Sequence, residues 1–117
     1  MLAPLIASLR SQVPMLVRSA PSTGEYLEGV FSRSDLPQCY AVLCGVFGQP
    51  AKAFDQPVAF TPDVMAIVEE LGGCRLEQCL FFKQDDQGRT IYAVLWPWAS
   101  DRTRVTLKVG VYEPHAQ

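Results

Sequence analysis

The sequence contains a single histidine, His115, close to its C-terminal end. Few neighbours surround a side chain placed there, so Ser/His/Asp and Cys/His catalytic arrangements lose their usual base. Glycine-rich phosphate loops are also missing. Neither G-x-x-x-x-G-K nor G-x-G-x-x-G occurs, and the glycines present punctuate turns, so no nucleotide or other cofactor is expected. Glu69 and Glu70 are consecutive; on a helix they diverge by about 100° and read as a solvated face, not as a converging acid/base pair. The expectation is a protein without a catalytic centre.

Long apolar runs are absent too. None approaches the roughly 18 to 20 residues needed to cross a bilayer. The apolar N-terminal stretch is cut by Pro4, Arg10 and Pro14 and lacks the leading positive charge of an export signal. The expected setting is the cytoplasm, with no membrane contact. Neither sign of charge dominates: 10 basic and 12 acidic side chains give a net charge of −2 and a pI near 5.3. A phosphate backbone would ask for a basic excess, so nucleic acid is not the expected partner.

The four cysteines, Cys39, Cys44, Cys74 and Cys79, repeat a C-x4-C spacing that invites a zinc reading. Five residues along a helix rotate a side chain by about 140°, and an odd offset on a strand points to opposite faces. Neither pair converges, so no metal is expected and the thiols read as buried, reduced and inert.

What is present is a globular composition. A chain of 117 residues, 49% of them hydrophobic, fits one domain with its own core. Apolar residues from Leu2 to Val17 recur at three and four, predicting a helix over 4–13 that Pro14 kinks or stops, followed by irregular chain. The A-P-S-T-G stretch at 20–24 is a turn. Residues 25–32 admit helix or strand, and Gly24 and Gly29 favour a short strand. Ser34, Asp35 and Pro37 start a helix over 35–47, expected to be buried nearly all round, with Ala41 and Gly45 allowing close backbone approach. Residues 49–60 read as a surface loop. Thr61, Pro62 and Asp63 open a helix over 62–71 that Gly72 and Gly73 stop, with Val64, Ile67, Val68 and Leu71 inward and Asp63, Glu69 and Glu70 outward.

From about 74 to 112, three runs of strand composition predict an antiparallel meander. Leu76, Leu80 and Phe82 alternate with Arg75, Glu77 and Lys83, and a turn follows at 85–88. The middle run, 90–98, is apolar on both faces, as a central strand would be. In the last run Val105, Leu107, Val109 and Val111 face inward, and Arg104, Thr106, Lys108 and Tyr112 face solvent. The residues from 114 on show no pattern. The expected architecture is a single α+β domain, 1–117: this meander, the short strand pairing at its edge, and helices near 4–13, 35–47 and 62–71 packed mainly on one face.

Trp96-Pro97-Trp98 ends the middle strand, because a proline cannot donate to the ladder. The wet face of the last strand approaches the same end through the 99–101 turn. Trp96, Trp98, Arg102, Arg104, Lys108, Tyr92 and Tyr112 are therefore the candidate contact residues. The leading expectation is a non-catalytic binding module that self-associates or meets another protein through apolar helix surface or a strand edge, with the Arg/Trp face as contact region. The alternative is a small-molecule binder or enzyme with its pocket between that sheet end and the 49–60 loop, taking an anionic or aromatic ligand.

Overall fold

The computed structural model describes residues 2–57, 62–70 and 75–112. Along them run α1 (Leu2–Gln12), β1 (Met15–Ser19), β2 (Leu27–Ser32), a 3-10 turn (Arg33–Asp35), α2 (Leu36–Phe47), α3 (Pro62–Glu70), β3 (Cys79–Gln84), β4 (Thr90–Pro97) and β5 (Arg104–Tyr112). The strands form one antiparallel sheet in the order β1-β2-β5-β4-β3. The α+β architecture and the β3–β4–β5 meander are present, and 25–32 contributes a strand that pairs at the meander's edge. The sheet is wider than a meander plus one strand, however, because β1 adds a fifth.

That fifth strand corrects the reading of irregular chain after Pro14. Val13 donates the last helical bond of α1, to Leu9 O at 2.9 Å, and Pro14 ends the helix by having no donor. From Met15 the periodicity changes from near four to two: Met15, Val17 and Ser19 are half-buried, while Leu16 and Arg18 point outward. Leu16, expected on the helical stripe, is 64% exposed.

One sheet face carries the main core. Leu2, Leu5, Ile6 and Leu9 of α1 and Cys39, Leu43 and Phe47 of α2 pack against Leu27, Phe31, Phe81, Ile91, Leu95, Val105, Leu107 and Val109. Phe81 is fully buried, and removing such a side chain from water is worth about 2–3 kcal/mol. The helix over α2 starts and stops as expected, at Gly48 with a positive φ, but it is not buried all round. Its single buried stripe is Cys39, Leu43 and Phe47, while Ala41 and Gly45 are exposed. Asp35 makes no side-chain cap bond; Ser32 Oγ accepts the Ser34 amide of the preceding 3-10 turn at 3.4 Å instead.

The other face is not bare. Val68 of α3 packs with Leu80, Tyr92 and Val94, and Phe82, Trp96 and Tyr112 surround them. Helices α1 and α2 thus share one face as expected, whereas α3 lies on the second. This explains why β4 is apolar on both sides, and it corrects the solvent-facing reading of β5, where Thr106 is only 8% exposed.

Strand β3 begins later than its alternation suggests. Residues 75–78 form a turn closed by Gln78 N donating to Arg75 O at 3.1 Å, which leaves Leu76 55% exposed. The 85–88 turn lies where expected, with Gly88 at φ 78°. None of the described helices is long and apolar enough to cross a membrane. Thr61, Leu71, Gly72, Gly73, Cys74, His115 and the C-terminal tail, with the side chains of Asp63, Val64, Ile67 and Glu70, lie outside the described residues.

Candidate functional site

Register brings most of the candidate residues together on the second sheet face. Trp96 lies opposite Thr106 and Val94 opposite Lys108, while Glu28 of β2 lies opposite Lys108 on its other side. Past Pro97 the chain turns back. Trp98 N donates to Arg104 O at 3.0 Å, and Trp98 Nε1 donates to Thr106 Oγ1 at 2.7 Å, which fixes the indole beside β5. The guanidinium carbons of Arg18 and Arg104 sit 5.7 and 5.8 Å from the Trp98 ring centre, and Lys108 Nζ sits 4.5 Å from that of Trp96. Such cation–ring contacts are each worth about 0.5–2 kcal/mol.

The face is largely self-satisfied. Lys108 Nζ is 3.8 Å from Glu28 Oε1, and Arg104 Nε is 3.2 Å from Asp101 Oδ2. The Thr103 hydroxyl and amide, then Arg104, hold the Asp101 carboxyl below the usual carboxylate range against the opposing effect of partial burial. Trp96 Nε1 is buried with no hydrogen-bond partner among the described residues.

Of the candidates, Trp96, Trp98, Arg104 and Lys108 converge. Arg18 joins them and was missed, because its strand was missed; its alternation with Met15 and Val17 was the available signal. Tyr92 does not belong: it is buried under α3, and burial, then Glu28, pushes its hydroxyl above the ordinary value, so it stays protonated at neutral pH. Tyr112 lies at the opposite end of β5, about 26 Å along the strand from Arg104. Arg102 is exposed and lines a separate cleft.

That cleft, of about 460 Å³, lies at the Trp98 end of the sheet, against the loop after α2. Arg33, Asp55, Glu77 and Arg102 rim it, over Phe54 and Trp98. Its far wall is organised by Lys52, which is 3% exposed. The Lys52 ammonium donates to the carbonyls of Ala53, Leu76 and Gln78 at 3.0, 2.7 and 2.6 Å, and its backbone exchanges two hydrogen bonds with Leu80 on the edge of β3. Loop and turn are thereby locked together, and Asp55 N donates to Leu76 O at 2.8 Å.

A second groove, of about 450 Å³, runs between α1 and α2 over Leu5, Val42 and Val46, with Ser8, Gln12 and Gln38 at its margin. Gln38 Nε2 donates to Gln12 Oε1 at 2.7 Å across the two helices. A β-carbon added at Gly45 would meet nothing within 4 Å.

Among the described residues Cys39, Cys44 and Cys79 form no disulfide. Burial pushes Cys39 up to about 12, so its thiolate is scarce at neutral pH. Among the described residues, no group of three His, Cys, Asp or Glu side chains is placed to hold a metal. Compared with protein-family models, curated proteins and solved structures, the chain matches none.

Proposed function

We propose that the protein is a small, non-catalytic interaction domain that associates with a second copy of itself through the outer surface of α1 and α2. The observation that supports this is charge. The 11 residues of α1 and the 12 of α2 carry one charged side chain between them, Arg10. Outward faces of surface helices ordinarily hold charge, whereas the centres of subunit interfaces are depleted in it. Among the exposed positions are Ala3, Ala7, Ser11, Ala41 and Gly45, with Pro4, Gln12, Pro37 and Gln38 also uncharged and Arg10 the one charge. Ala41 and Gly45, one turn apart, allow an opposing helix to approach closely, and a two-fold contact would set α2 against α2. The Trp96–Trp98 face offers less to a second copy, since Lys108 and Arg104 already face Glu28 and Asp101 within the chain.

Sedimentation velocity over rising concentration tests the reading. The wild-type coefficient should rise with concentration, and Gly45→Arg should raise the dissociation constant by about tenfold or more. The open space at Gly45 admits the new side chain, and replacing a helical glycine favours the fold by about 1 kcal/mol, so the variant remains folded. A wild-type protein that stays monomeric throughout, or a variant that associates equally well, overturns it.

A further inference from the structure

We infer that the cleft at the Trp98 end of the sheet binds a small zwitterion, an α-amino acid with an apolar side chain. Four charged side chains border it, Arg33 and Arg102 of one sign and Asp55 and Glu77 of the other. Opposite charges sharing a cleft would ordinarily close on each other. None of these four makes an ion pair or a side-chain hydrogen bond among the described residues. They are held apart by the elements that carry them. Arg33 N donates to Thr103 O at 2.7 Å, which fixes the 3-10 turn against the start of β5. Asp55 and Glu77 belong to the loop and turn that Lys52 clamps, and Asp55 keeps a φ of 59° within that arrangement. Trp98 is pinned through both of its nitrogens.

The charges sum to zero, and that selects the ligand. A simple anion would be drawn by two guanidiniums and repelled by two carboxylates, and a simple cation the reverse. A molecule carrying one charge of each sign satisfies both pairs: its carboxylate takes the planar donors of Arg33 and Arg102, and its ammonium donates to Asp55 and Glu77. Leu36, Phe54 and Trp98 supply an apolar surface for its side chain. About 460 Å³ lies within the range of small-ligand pockets. The site is independent of the self-association reading, because neither Ala41 nor Gly45 lines it.

Titration calorimetry of the full chain with L-phenylalanine and L-leucine tests this, alongside phenylacetate and phenethylamine, which each keep one charge. Saturable heats for an amino acid are expected, weakened about tenfold or more for both single-charge analogues and for Arg102→Ala and Asp55→Asn. Asparagine tolerates the positive φ at position 55, and both sites are solvent-accessible, so melting curves should match the wild type. If one variant melts early, Arg33→Ala and Glu77→Gln carry the same expectation. The inference is overturned if neither amino acid binds, if the single-charge analogues bind as tightly, or if the folded variants bind as the wild type does.

Discussion

Among the described residues Lys52 holds its loop without a carboxylate: the ammonium is solvated by the oxygen ends of three carbonyl dipoles. Removing it does not orphan all three, since Leu76 O keeps the Asp55 amide and Ala53 O keeps the Gln56 amide at 3.4 Å. The Gln78 carbonyl loses its 2.6 Å bond, and the buried stem leaves a void. Lys52→Ala should therefore cost about 2–4 kcal/mol, read as a lower urea midpoint. Gly110 acts by having no side chain. A β-carbon there would sit 2.9 Å from Tyr92 Oη and 3.0 Å from Tyr26 Cδ1. Gly110→Ala should cost about 1–3 kcal/mol, and adding Tyr92→Phe, which removes the nearest atom, should recover part of it. A thermal-melt double-mutant cycle that shows no coupling would refute this contact.

At the scale of elements, the β3–β4 hairpin is closed by one side chain. Asp85 Oδ1 accepts the amides of Gln87 and Arg89 and Oδ2 accepts Arg89 Nε, all at 2.9 Å, while Arg89 also reaches Glu25 before β2. Desolvation raises the Asp85 pKa, but the Arg89 and Gln87 hydrogen bonds and the guanidinium charge outweigh it, so the carboxyl titrates below its ordinary value. A group depressed on folding stabilises above its unfolded pKa of about 4 and loses that contribution as the pH falls. Urea midpoints should drop below about pH 4, and Asp85→Asn, already lacking the charge, should show a shallower fall. This hairpin was legible because its turn residues and flanking alternation agree. Strand β1 was not: Leu16 and Val17 extend the helical spacing of α1, so the short alternation of Met15, Val17 and Arg18 is outweighed, and Pro14 is the plainer sign of a break. Losing β1 also hid Arg18, whereas Trp96, Trp98, Arg104 and Lys108 could be grouped by parity and the 99–101 turn. Arg102 shares their sequence neighbourhood but falls beyond the strand, where parity no longer decides direction.

Across the whole molecule, two clusters of side chains lie on opposite faces of one sheet and share its strands. Strand β4 sends Ile91, Ala93 and Leu95 into one and Tyr92 and Val94 into the other. Neither can come apart while the other persists, so unfolding should be a single transition. Tryptophan fluorescence, which reports the second face, and far-UV circular dichroism, weighted by α1 and α2, should give superimposable urea curves; separated midpoints would show independent faces. That α3 covers the second face was not legible, because a helix's own pattern shows which side it buries and not which side of a sheet receives it. The Lys52 bridge has one more consequence at this scale. It occupies Leu80 on the β3 side of the sheet, while β1 on the other side carries no such bridge among the described residues. The bridge takes both outward backbone groups of Leu80, so a chain adding edge to edge would find β3 blocked at that residue and β1 the more open margin.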